Sequence, residues 1–125
     1  MAKLPKEVRQ AWDNRKGAVV LSTVNKAGIP NSIYVTCVSK YDEETLIIAN
    51  NYFSKTIANI KEGSYGTALF IAGGEDAYQV KGSIEYYTSG PYFEDMKKWN
   101  DKEYPGHGAT VLKIDEIYKG AEELS

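Results

Sequence analysis

The sequence predicts a mainly β protein, with a six-stranded antiparallel sheet curled into a barrel and three short helices beside it. Three observations carry this. Stretches rich in Val, Ile, Leu, Thr and Tyr recur between turn signals. Most follow one another through short loops, which suits antiparallel pairing. Helices do not alternate with strands one by one, which argues against a doubly wound parallel sheet. The 125 residues contain no internal repeat, low-complexity tract or linker, so 1–125 reads as a single domain able to bury a core.

Leu4 to Asn14 reads as the first helix. Pro5 suits a first turn, Val8, Ala11 and Trp12 fall at i, i+3, i+4, and Gly17 ends the segment. Ala18–Val24 is a strand by its β-branched content, and Asn25–Gly28 is a turn. Pro30 opens the next strand, where a missing N–H does least harm, and that strand runs to about Ser39. Tyr41–Glu44 is a polar turn into the apolar strand Thr45–Ala49. A short helix follows, with Ser54 at its N-cap, Gly63 just past its end, and Ile57 and Ile60 on one docking face. Gly66–Ala72 is a buried strand, and Gly73–Asp76 a hairpin loop. The strand from about Ala77 to Thr88 alternates, with Tyr78, Val80, Gly82, Ile84 and Tyr86 on one face. Ser89-Gly90-Pro91 starts a third helix whose inner face holds Phe93, Met96 and Trp99 or Asn100. Tyr104–Gly108 is a loop, Thr110–Ile114 the last strand, and Glu116 onward a tail.

The formal charge of −2 argues against a nucleic-acid partner. The single cysteine, Cys37, excludes an intrachain disulfide and suits a reducing compartment. No apolar stretch approaches about 18 residues, and the N-terminus lacks a signal-peptide core. The expectation is a cytoplasmic protein with no membrane partner. Acid–base machinery is sparse. GxGxxG, Walker, CxxC, HExxH and GxSxG patterns are all missing. His107 is the one histidine, and Cys37 lies among apolar residues as a core thiol. Catalytic residues and a metal site are therefore not expected, and any chemistry here falls to a cofactor.

The richest stretch is Asn51–Gly63. A strand, a tight turn and a helix N-terminus meet there, with free backbone N–H groups and the positive end of the helix dipole. Ser54, Lys55 and Thr56 add two hydroxyls and an ammonium at that point, the local chemistry of a phosphate site. The competing reading makes Ser54 a plain cap and Lys55 a solvated lysine.

Asn51-Tyr52-x-Ser54-Lys55-Thr56, followed by Asn59-Ile60-x-x-Gly63, resembles the FMN phosphate segment of the pyridoxamine 5′-phosphate oxidase-like split-barrel flavoproteins. Gly28–Ile33 resembles that family's second strand, and Gln79–Tyr86 its Lys-Gly-x-Ala strand. The element order matches along nearly the whole chain. The resemblance implies a six-stranded antiparallel split β-barrel, closest to the small FMN-binding proteins of anaerobic bacteria. It implies a homodimer with FMN at the subunit interface. Ser54, Lys55 and Thr56 would hold the phosphate. Asn51 and Tyr52 would approach the ribityl chain or phosphate, largely through backbone. Asn31, Ser32 and Ile33 would line the pyrimidine edge of the ring, and Trp99, with Tyr104 as a second candidate, would send an aromatic toward it.

Two departures stand out. The oxidases carry Ser-Arg-Lys at the turn, where this chain has Ser54-Lys55-Thr56. They also end with an Arg-x-His pair for the pyridoxal phosphate substrate, which Asp115–Ser125 lacks. The expected function is FMN-dependent electron transfer or oxidoreduction with an unassigned redox partner or small-molecule substrate. A pyridoxamine 5′-phosphate oxidase-related enzyme, a flavin-free barrel, and deazaflavin or haem in place of flavin stay open as alternatives.

Overall fold

The computed structural model describes residues 2–125. In order, the elements are α1 (Lys6–Asp13), β1 (Arg15–Val24), β2 (Pro30–Val35), β3 (Val38–Asp42), β4 (Thr45–Asn50), α2 (Lys55–Lys61), β5 (Tyr65–Ala72), β6 (Asp76–Tyr87), α3 (Pro91–Trp99), β7 (Gly108–Lys119) and β8 (Glu122–Glu123). One sheet runs β2-β1-β5-β6-β7-β4-β3 with every pair antiparallel, and β8 adds to β7. The mainly β antiparallel barrel class holds, with two more strands than the six expected.

Period-two alternation builds the interior. Val19 and Leu21 of β1, Ala68 and Phe70 of β5, Val80 of β6, Leu112 and Ile114 of β7 and Leu46 and Ile48 of β4 all point into one core. Helix α1 closes one end with Val8 and Trp12, and Trp12 meets Phe70 edge-on at 5.1 Å. The reverse faces of β4 and β7 are covered too. Ile47, Ala49, Ala109 and Val111 pack under Met96 of α3. Burial on both faces explains why Thr45–Asn50 is wholly buried and reads as a continuous apolar run.

Three departures from the sequence reading have physical causes. The stretch expected as one strand from Pro30 to Ser39 is two strands. β2 and β3 sit at opposite ends of the strand order, so the chain must leave the ladder between them. It does so at Thr36-Cys37, where the Val38 N–H turns back to the Thr36 carbonyl and the Cys37 carbonyl accepts from the Ala49 N–H. Cys37 is therefore a half-buried residue at the split of the barrel, and not a mid-strand core thiol.

The tail from Glu116 is strand as well. Against β6, Lys81 faces Glu116 while Gly82 faces Ile114, which leaves Asp115 as an extra bulged residue. Leu112 and Ile114 point inward, the bulge resets the phase, and Ile117 points inward again, fully buried. A strict period-two reading stops at Asp115 for that reason. Gly82 is required at this point, because a Cβ there would lie 1.7 Å from the Lys113 carbonyl oxygen. At the third departure, Ser54 occupies the N-cap of α2 but its hydroxyl makes no capping bond.

Candidate functional site

The site is built where β2, the end of β4 and the start of α2 converge. Asn50 organises the approach. Its Oδ1 accepts the Phe53 N–H at 3.0 Å, and its Nδ2 donates to the Tyr86 hydroxyl at 2.8 Å, so the turn leaving β4 is fixed from below. α2 then docks by Ile60 and by polar ties. Asn59 Nδ2 donates to Thr23 Oγ1 of β1 at 3.0 Å, inside the protein. The Ser64 hydroxyl accepts the Val24 N–H at 2.9 Å. Gly63 terminates the helix at φ +88, a conformation that glycine adopts without strain.

Asn31 Nδ2 donates to Thr56 Oγ1 at 3.2 Å, which joins β2 to the first turn of α2. The structure thus brings together Asn31, Ser54, Lys55 and Thr56. Thr56 is buried, whereas Ser54 and Lys55 are exposed. Among the described residues, Lys55 makes no ion pair. The first helical bond runs from the Ala58 N–H to the Ser54 carbonyl at 3.3 Å, so the N–H groups before Ala58 lie ahead of the helical ladder. Ser32 points to the outer face of the sheet, where its hydroxyl pairs with that of Ser22 at 2.8 Å.

Beside this cluster lies a cavity of about 330 Å³. Its walls include Ile33 and Tyr34 of β2, Cys37 at the barrel split, and Tyr52, Phe53 and Tyr104. Among the described residues, no Asp, Glu, Lys, Arg or His lines it. Tyr52 and Tyr104 meet edge-on at 6.1 Å, and both remain exposed. The arrangement is an aromatic recess lined by uncharged residues, next to the exposed Ser54 hydroxyl and Lys55 ammonium. It is suited to a planar ring that carries an anionic tail.

The side chains of two residues expected at the site, Asn51 and Trp99, have partners within this chain. The Asn51 side chain is buried, donates to Asn100 Oδ1 at 3.2 Å, and accepts from Asn100 Nδ2 at 2.9 Å and from the Gly106 N–H at 3.0 Å. Its side chain is thus tied to the α3 end of the site, although the residue lies along the cavity. Trp99 packs with the cluster beneath α3 and donates Nε1 to Asp95 at 3.1 Å, away from the cavity lining. Asn50 and Asn100 were not expected as site residues. Asn50 carries a sequence signal, a polar amide at the end of an apolar run that a folded chain must satisfy somewhere, whereas Asn100 lies among Lys98, Trp99 and Asp101 and carries none.

The sequence pattern of the family described as pyridoxamine 5′-phosphate oxidase matches residues 4–119. The chain belongs to that family. A protein of Methanocaldococcus jannaschii is 35% identical over 124 residues, covering 94% of this chain and 81% of its own. Among solved structures, an FMN-binding protein from Syntrophomonas wolfei superposes with a TM-score of 0.79 at 24% identity, covering 91% of this chain and 84% of that one. HupZ of Group A Streptococcus superposes with a TM-score of 0.80 at 23% identity and 93% coverage of both chains. These two structures share the fold. Membership in the pyridoxamine 5′-phosphate oxidase family agrees with the split-barrel architecture described above. No helix among the described residues is long and apolar enough to cross a membrane.

Proposed function

We propose that the protein is an FMN-binding flavoprotein serving electron transfer or oxidoreduction. The observation that carries this reading is the adjacency of two unlike half-sites on one end of the barrel. Among the described residues, the Ser54 hydroxyl makes no capping bond, the Lys55 ammonium makes no ion pair, and the N–H groups of the first turn lie ahead of the helical ladder, a set that suits a phosphate dianion. The uncharged cavity next to them suits the isoalloxazine ring. When bound, FMN supplies the one- and two-electron chemistry that this chain's side chains lack. The chain supplies the charge at Lys55 that holds the tail. It also supplies the aromatic walls at Tyr52 and Tyr104 that keep water off the ring. Proton donors along the cavity are limited to hydroxyls, amides and the Cys37 thiol, so a substrate would exchange electrons or hydride here with little general-base help.

Titration of flavin-free protein with FMN and with riboflavin tests this. FMN is expected to bind in a one-to-one ratio with the visible absorption of oxidised flavin, and to bind more tightly than riboflavin by the contribution of its phosphate. Equal affinity for the two would remove the phosphate assignment, and no binding of either would remove the flavin.

The same reading makes the protein a cytoplasmic homodimer. In its support, the outer sheet face carries a row of directly opposed residues, Tyr34, Val20 and Leu69, of which Tyr34 is 81% exposed and also lines the cavity. Light scattering on the flavin-loaded protein is expected to give twice the chain mass of 13.9 kDa. A monomer mass would rule the dimer out. The redox partner or small-molecule substrate is not assigned.

A further inference from the structure

The wall of the cavity that carries Tyr104 is held from behind. Asn51 and Asn100 are buried, lie 49 positions apart in sequence, and exchange both amide hydrogen bonds. Asn51 Oδ1 accepts a further bond from the Gly106 N–H, and the His107 N–H reaches the Asn50 carbonyl at 2.8 Å. Gly106 stands at φ +52, and a Cβ there would lie 2.9 Å from Lys97 Nζ and 3.0 Å from Asn100 Nδ2, so the segment is drawn tightly onto α3. Between these fixed ends Tyr104 is 41% exposed, lines the cavity and meets Tyr52, itself 75% exposed.

Loop tyrosines left half in water ordinarily swing. This one is on a loop whose two bases are locked by buried amides bonded to each other, bonds that are costly to leave unmade. Two aromatic rings kept open to solvent beside an uncharged recess contribute little to the core. They are placed as a wall.

We propose that the Asn51–Asn100 amide pair is a clasp that fixes Tyr104 as a wall of the cavity. Tyr104 would then be a direct contact for a planar uncharged ring, and the two asparagines positioning residues. The inference rests on the reading that a flavin ring occupies this cavity.

The test titrates FMN and riboflavin into wild type, Tyr104→Leu, Asn100→Ala and the double variant, and follows amide exchange at Gly106 and His107. Tyr104→Leu should weaken FMN and riboflavin by the same factor, roughly three- to tenfold, because the phosphate is not involved. Asn100→Ala should give a similar loss with faster exchange at Gly106 and His107, whereas Tyr104→Leu should leave that exchange unchanged. The double variant should be little worse than either single one, because both act on one contact. Asn100→Asp adds a signature that general loosening would not give. Its carboxyl can donate to Asn51 only when protonated, so its affinity for riboflavin, which has no phosphate to titrate, should recover as pH falls below about 5 while that of wild type stays flat.

Unchanged riboflavin affinity in Tyr104→Leu would overturn the proposal. So would a freed loop in Asn100→Ala with wild-type flavin affinity, or single effects that multiply in the double variant. Failure of wild type to bind either flavin would instead sink the proposed function, and the ring contact with it.

Discussion

The two ends of the candidate site hold similar polar residues in opposite states. At the α2 end, the exposed Ser54 hydroxyl makes no capping bond and the exposed Lys55 ammonium makes no ion pair among the described residues. At the loop end, Asn51, Asn100 and the Gly106 N–H are buried and consume one another's hydrogen bonds. Burial decides the difference. A polar group taken out of water must be paired within the protein, whereas an exposed one loses little by waiting. The exposed end is therefore free for a ligand, and the buried end gives the site its shape. Polarity near a turn does not by itself say which of the two a residue does.

Asn51→Ala should break this division most severely. It leaves the Asn100 amide and the Gly106 N–H buried without partners, and should cost about 3 kcal/mol of stability. Urea unfolding measures this directly. A loss below about 1 kcal/mol would mean that water reaches the pair and that the two ends are not so different.

Lys55→Ala should do the reverse. Its stability should stay within about 0.5 kcal/mol of wild type, since an exposed unpaired lysine contributes little to folding. FMN affinity should fall by about 1.5–3 kcal/mol, the scale of a charged hydrogen bond. Added salt should weaken FMN binding in wild type more than in the variant. Unchanged FMN affinity would place the phosphate elsewhere.

Trp99→Leu sharpens the boundary of the site. Trp99 packs under α3 and bonds Asp95, so the change should cost about 1 kcal/mol of stability. Bound-flavin fluorescence should stay at the wild-type level. Brightening on this substitution would show that Trp99 reaches the ring after all, and with it that the site draws on more than the cavity of one chain.

What the sequence revealed follows the same line. Local signals were legible. The N-terminal helix, the α2 turn at Ser54, Gly63 past its end and the alternation of β6 are all set by residues within a few positions of each other. Ser54–Thr56 and Asn31 were marked by resemblance to two separate segments, one for the phosphate and one for the pyrimidine edge of the ring, and only the fold sets Asn31 against Thr56. The rest depends on distant partners. Asn51 has the same local look whether it faces a ligand or Asn100, and only the tertiary fold joins positions 49 residues apart. The bulge at Asp115 hid Ile117 because one extra residue inverts the phase of a period-two pattern. Thr36-Cys37 read as strand because nothing in their composition says that β2 and β3 lie at opposite edges.

The smallest expected effect concerns a third state, in which a group is exposed and yet already satisfied. Tyr65 is 44% exposed, and its hydroxyl donates to the Asp115 carboxylate at the β7 bulge. That bond, with the nearby carboxylate charge, pushes the phenol up to about 12. In the unfolded chain it would titrate near 10. Between those values the folded protein holds a proton that the unfolded chain has lost. The bond's contribution to stability is therefore complete below about pH 10 and disappears as pH rises through about 12. Tyr118, also pushed up to about 12 by its bond to Glu116, and Tyr87 beside Glu85 titrate high as well, so wild type alone cannot assign the loss. The comparison that isolates it is wild type against Tyr65→Phe. Wild type should be slightly the more stable at pH 8, and the two urea midpoints should converge between about pH 10 and 12. A gap that persists unchanged to the top of that window would show that Tyr65 stabilises by its ring alone. Exposure would then have left its hydroxyl as idle as that of Ser54.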